Sequence, residues 1–418
     1  MALLLAALAG CGGPSVNPSA SAGGLGPTPA GTAAGDGWRL IGNFPVDGAS
    51  QVNSIVAQGS GFVAVGTIFD DSATCIADFN DGHVWTSSDG LTWVPAPADP
   101  FGQTDLTNLV TFKGSVYAFG FTGAFEEETA DCTPGANPTG VNIWRSDNGG
   151  TSWQHLQQSA AIAHATIGDV VAAGDRLVLV GTQIDAEGND SAGSWSSSDA
   201  LTWTPAELPP ATSIIGSAAA HDNVVVGFGF DPDFPLPWIS RDGGGHWYEE
   251  SIDVAGTDSG DADFGLSVED VLATQAGYVA VGDICCLGAP QIVPLTVSTP
   301  DGTQWQGAPV PADTPQAMRL VGQLPGGMLA VGVRTYLDEP PPAGELGGRS
   351  WTSADGKTWL AGPPFAELGD GNVTAMAIGT NGVAVAGSIF VDTPSTGGDT
   401  GLRVWYAPLS AFEGGTSN

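Results

Sequence analysis

The sequence predicts an all-β protein, a closed ring of seven four-stranded blades: a seven-bladed β-propeller. Three observations predict it. A short phrase recurs six times, as SSDGLTW (Ser87 to Trp93), SDNGGTSW (Ser146 to Trp153), SSDALTW (Ser197 to Trp203), SRDGGGHW (Ser240 to Trp247), TPDGTQW (Thr299 to Trp305) and SADGKTW (Ser353 to Trp359). Such a period marks a repeat architecture. A continuous apolar run recurs seven times: Phe62 to Gly66, Val116 to Gly120, Leu177 to Gly181, Val224 to Gly229, Tyr278 to Gly282, Met328 to Gly332 and Val383 to Gly387. Runs of this length, bounded by turn residues, suit strands buried on both faces. Finally, all 13 tryptophans fall into two fixed places relative to the phrase.

In chain order, residues 1–11 read as an export signal. MALLLAALAGC is apolar and ends in small residues, as a cleavable leader does, although no Lys or Arg precedes the run. Leu8-Ala9-Gly10-Cys11 resembles the lipobox of bacterial lipoproteins. That resemblance implies cleavage before Cys11 and its acylation. The protein would then be exported and held on the cell membrane only by this N-terminal lipid, facing the outside or the periplasm. Residues 12–36 are rich in Gly, Pro, Ser and Ala and have no apolar period. They read as a tether with a reach of about 25–30 Å.

Residues 37–418 form the repeats. Each has a short apolar strand such as Asn53 to Gly59, a tight turn, the strongly apolar second strand, a variable loop, a third strand ending in the phrase, and a fourth strand starting at the phrase's Trp. Four strands per repeat, arranged radially, make a propeller. The last repeat supplies strands near Val373 to Ile378, Val383 to Ser388 and Leu402 to Ala407, and no phrase. Gly37 to Gly42 reads as an orphan fourth strand, with Trp38 in the slot of the phrase's Trp. The N-terminal strand is therefore expected to complete the last blade and remove its free edges. The fourth-strand slot holds Trp38, Trp93, Trp153, Trp203, Trp247, Trp305 and Trp359. The third-strand slot holds Trp85, Trp144, Trp195, Trp238, Trp351 and Trp405, with Val297 in the fifth repeat.

The phrases resemble the Asp-box, or bacterial neuraminidase repeat, Ser/Thr-x-Asp-x-Gly-x-Thr-Trp, over most of Gly37 to Tyr406. The resemblance implies structural turns between third and fourth strands, carried by Asp89, Asn148, Asp199, Asp242, Asp301 and Asp355. The chemistry fits, because an Asp side chain closes a turn on its own backbone and Gly supplies positive φ. It further implies that these turns lie on the face opposite any ligand site. The family includes sialidases, some glucanases, sortilin-type receptors and a seven-bladed photosystem assembly factor, so fold alone does not choose a function.

Function is expected in the second-to-third and fourth-to-first loops, which share the other face. These loops are acidic: Asp70, Asp71, Asp78 and Asp81; Glu126, Glu127, Glu128 and Asp131; and the run with Asp258, Asp261 and Asp263. That last set is the candidate Ca²⁺ ligand group, since Ca²⁺ takes six to eight oxygens, though its spacing is not that of an EF-hand. The chain carries 45 acidic and 10 basic residues, a formal charge of −35, with Lys113 and Lys357 its lysines. Such a surface excludes nucleic-acid binding and favours cationic partners. Cys75 and Cys132 fall in equivalent loops of neighbouring blades, and Cys285 and Cys286 are adjacent. Export permits disulfides, and three pairings remain open.

A sialidase needs several arginines converging on a carboxylate. Arg145 directly precedes one phrase, Arg241 lies inside another, and Arg176 is in a turn on the same face. Arg319, Arg334 and Arg349, with Tyr336 and Glu345, read as confined to one blade rather than set around the centre. The five histidines (His83, His155, His164, His221, His246) show no zinc-ligand spacing. The expectation is a monomeric, non-catalytic binding or scaffolding module that meets a protein or glycan at its loop face. The alternatives are an exo-acting glycoside hydrolase of sialidase type and an assembly factor for a membrane complex.

Overall fold

The computed structural model describes residues 37–416. Within that span it leaves out 42–43, 46–48, 70–80, 97–99, 103, 123–139, 186–189, 210–213, 231–234, 256–264, 285–291, 313–314, 335–346, 366–367, 369–370 and 392–398. The described residues form seven antiparallel sheets in a ring. Blade 1 runs from Ala49–Gln58 through Gly61–Phe69 and Asp81–Ser87 to Trp93–Pro95. Blades 2 to 6 repeat this order, each strand pairing with the next in sequence. The first strand of each blade packs against the first strand of the next, and the first strands of blades 1 and 7 touch, so the ring is closed.

Closure uses both ends of the folded chain, as the sequence predicts. Blade 7 consists of Asn372–Ile378, Gly382–Val391, Asp399–Pro408 and the N-terminal Arg39–Leu40. Arg39 pairs with Tyr406 and Leu40 with Trp405. Trp38 is buried against Phe365 and Phe412 at centroid distances of 5.2 and 5.5 Å. The second strands are sealed on both faces: Phe62, Val63, Ala64 and Val65 are at most 2% exposed, and Leu177 to Val180 are fully buried. The described tryptophans are buried apart from Trp153, which is half-buried.

One blade departs from four strands. In blade 5, Ile252–Val254 adds a parallel strand outside Trp305–Pro309, with Ile252 opposite Trp305. The chain leaving blade 4 here runs along the outer edge of blade 5 before crossing inward. It thereby covers backbone groups that an outermost strand otherwise leaves open.

The six repeated turns share one hydrogen-bond plan. Asp89 Oδ1 accepts the N–H groups of Leu91 and Thr92 at 2.8 and 2.7 Å, and Ser87 Oγ accepts that of Gly90 at 2.9 Å. Asp199 and Asp355 repeat the pattern. Asp242 takes the N–H groups of Gly245 and His246, Asn148 that of Ser152, and Asp301 that of Thr303. These bonds hold the carboxylates of Asp89, Asp199, Asp355 and Asp301 below the usual range. Asp242, where His246 joins, is lowered to about 2.

The residue after the turn's Asp leans on the preceding blade. Gly356 has φ of 70°, and a Cβ there would stand 2.5 Å from Val279 of blade 5. Gly356→Ala is therefore expected to lower unfolding free energy by about 2 kcal/mol, through left-handed strain and overpacking. Blade 3 supplies the control, since Ala200 already sits at φ of 62°. Ala200→Gly should change stability by less than about 1 kcal/mol, both read by urea denaturation.

Candidate functional site at the centre of the ring

The innermost strands are not regular. Each carries a one-residue register shift at the same height, at Asn53, Thr107, Gly168, Gly216, Glu269, Arg319 and Thr374. A bulge re-aims side chains and leaves backbone groups without ladder partners. Here the neighbouring blade meets them. Asn53 Nδ2 donates to Leu106 O at 2.7 Å, and Thr374 Oγ1 donates to Val52 O at 2.6 Å, each just ahead of the next blade's bulge. The residue after the bulge accepts in the other direction. Ser54 Oγ takes Leu109 N–H at 3.1 Å, Asp169 Oδ2 takes Ala218 N–H at 3.0 Å, and Asp270 Oδ2 takes Val321 N–H at 2.8 Å. These bonds clasp blade 1 to 2, 3 to 4, and 5 to 6.

Asp169 and Asp270 also accept the next N–H of their own strands, from Val170 and Val271 at 2.7 and 2.8 Å. Both residues are half-buried. Burial pushes Asp270 up to about 7 against the pull of its two amide donors, with the charges of Asp169 and Glu269 adding to the rise. Burial raises Asp169 in the same way.

Between blades 5 and 6 the centre holds a cation. Among the described residues, Arg319 is the one arginine on the seven innermost strands. Its Nη1 meets Glu269 Oε1 in a short ion pair and lies 3.4 Å from Asp283 Oδ2. The side chains of Arg319 and Asp283 are 15% and 14% exposed. Ser267 Oγ donates to Glu269 at 2.6 Å. Burial lifts Asp283 to about 6, with Arg319 pulling it down and Glu269 pushing it up. The sequence suggested that Arg319 shares one blade with Arg334 and Arg349 away from the centre. The three do share blade 6, but Arg319, at the bulge of its innermost strand, reaches Glu269 of blade 5 near the centre. Arg334 ends the second strand of blade 6, and Arg349 lies on its third.

The sequence missed Asp169, Glu269, Asp270 and Asp283. Their visible signal is acid inside otherwise apolar strands: GDVV, VEDVL and VGDI. Of the residues singled out earlier, Asp81 begins the third strand of blade 1. Cys11, Cys75, Cys132, Cys285, Cys286, Asp258, Asp261, Asp263, Tyr336 and Glu345 lie outside the described residues. Among the described residues no three His, Cys, Asp or Glu side chains are grouped to hold a metal ion.

A raised carboxylate binds its proton more tightly when folded. Between about pH 4 and 7 the native centre holds protons that the unfolded chain has released, so unfolding free energy falls as pH rises through this window. For Asp270 alone, a rise from 3.8 to about 7 corresponds to a penalty on the order of 4 kcal/mol above pH 7. The turn aspartates, with lowered values, act oppositely and lose their contribution below about pH 4. Stability should therefore peak at about pH 4–6. Asp270→Asn should flatten the decline toward pH 8, as measured by urea midpoints across pH.

No family model matches the chain, and no curated protein matches it. Solved structures match its fold. YCF48 bound to D1 peptide is 10% identical with a TM-score of 0.52, over 88% of this chain and 95% of that one. Trypanosoma rangeli sialidase is 13% identical with a TM-score of 0.51, over 88% of this chain and 56% of that one. The chain thus spans little more than half the length of that sialidase. At these identities the likeness is one of fold.

Proposed function

We propose that this propeller is a non-catalytic binding module, held at the outer side of a bacterial membrane by a lipid on Cys11, whose acidic loop face docks a cationic segment of a protein. The carrying observation is the state of Arg319. Its Nη1 is already met by Glu269 and Asp283, and their negative charge beside it opposes the carboxylate of an anionic substrate. A chain with 45 acidic and 10 basic residues attracts basic partners and speeds their encounter. The fold likeness to a propeller bound to a peptide fits the same reading. Role as an assembly factor for a membrane complex is a special case of it.

An array of peptides graded from −6 to +6 in charge tests the reading (probe charges of about this range suffice). Affinity is expected to rise with positive charge and to fall at least tenfold between about 50 and 300 mM salt. Binding without charge preference would contradict it. Palmitate labelling lost in Cys11→Ser is the expected sign of the anchor.

One observation favours a glycoside hydrolase instead. Glu269 and Asp283 approach the same guanidinium nitrogen, and Asp283, held at about 6, falls in the range of a working acid–base group. Release of nitrophenol from aryl glycosides, abolished by Asp283→Asn, would establish that reading.

A further inference from the structure

We propose that a cleft on the turn face, beside blade 5, binds an uncharged, hydroxyl-rich ligand of the neutral oligosaccharide class. It lies opposite the loop face and is independent of the reading above. The cleft is bounded by the first-to-second strand turns of blades 4, 5 and 6 and by the repeated turns of blades 5 and 6. Its volume is about 1430 Å³, above the roughly 300–1,000 Å³ of a small-molecule pocket, so it accommodates several sugar units.

The repeated turn of blade 5 departs from its counterparts. In the turns of blades 1, 3 and 6 a threonine before the Trp donates its N–H to the turn's Asp: Thr92, Thr202 and Thr358. In blade 5 that position is Gln304. Thr303 supplies both the N–H at 3.0 Å and a hydroxyl at 2.7 Å to Asp301. Gln304 instead sits at φ of 46° and lines the cleft. A left-handed non-glycine residue costs about 1–2 kcal/mol. Strain of this kind gathers at ligand-contacting positions.

Gln304 is joined in the lining by Gln275 and Gln306, and by Gln323, whose amide N–H groups already go to Leu324 O and Gly327 O of its own turn and leave its oxygen as an acceptor. An amide offers both donors and an acceptor, the match for a hydroxyl that does both. Asp222, Asp301 and Asp355 also face the space. They accept from sugar hydroxyls and repel acidic sugars and phosphates, with Lys357 the one lysine in the lining.

The purified chain should bind members of a panel of neutral oligosaccharides in an array, with affinities then measured by calorimetry. Gln304→Gly should weaken binding at least tenfold while the melting temperature holds or rises, because glycine relieves the left-handed strain. Gln306→Ala should weaken it without changing the fold. The proposal is overturned if no neutral oligosaccharide binds at millimolar concentration, or if Gln304→Gly leaves affinity intact. It is also overturned if the Gln304→Gly variant loses a basic peptide rather than a sugar.

Discussion

Arg319→Met should cost about 2–4 kcal/mol of unfolding free energy at pH 7.5, because removing the cation of a partly buried ionic group strands the carboxylates it held. Glu269 and Asp283 are held at the bulge between blades 5 and 6 with Arg319 as their shared cation. Without it they repel each other, and Asp270 lies beside them. At pH 5 the loss should shrink to about 1–2 kcal/mol, since Asp283, already lifted to about 6, takes up a proton and ceases to be a stranded charge. The triple variant Arg319→Met, Glu269→Gln, Asp283→Asn should recover most of the stability at pH 7.5. Neutral replacement of a whole buried ionic group is often tolerated where truncation of one member is not. Urea denaturation at the two pH values reads all three. A pH-independent loss would mean that Arg319 acts by packing alone.

Trp38→Ala should be the second severe substitution, at about 3–5 kcal/mol, the usual cost of emptying a buried aromatic site. Trp38 packs on Phe365 and Phe412, and its Nε1 donates to Ser350 Oγ of blade 6 at 3.5 Å. It also leads into the two residues that pair with the outer face of Asp399–Pro408, continued by Ile41 N–H to Val404 O at 2.8 Å. Removing residues 37–41 should open that strand's edge to other chains. The expected result is concentration-dependent association by light scattering, with faster hydrogen exchange concentrated in blade 7. Exchange rising equally in all blades would contradict a local clasp and indicate that the ring unfolds as one unit.

The parts of the fold legible in the sequence are those where burial writes a pattern. The second strands are apolar because both faces are covered, as in Leu177 to Val180. The tryptophans recur because two buried slots recur in each blade, and Trp38 could be placed in blade 7 from the fourth-strand slot alone. The centre was hidden for a physical reason. A bulge inserts one residue without requiring any residue type; Asn53, Gly168 and Arg319 serve equally. It shifts which side chains face the next blade, so Arg319 could not be carried inward by strand alternation. Asp169 and Asp270 carry no sequence signal of their partners, because the N–H groups of Ala218 and Val321 belong to another blade. The added strand Ile252–Val254 is too short to show a period.

Calorimetry with sialic acid tests most directly whether the charge of Arg319 is neutralised by its own neighbours, Glu269 and Asp283. No saturable heat is expected at pH 6–7 (roughly the range where Asp283 titrates), because Glu269 and Asp283 at Nη1 already offset the charge of Arg319. Saturable binding that Arg319→Met abolishes would contradict it, and would make the centre of the ring a substrate site.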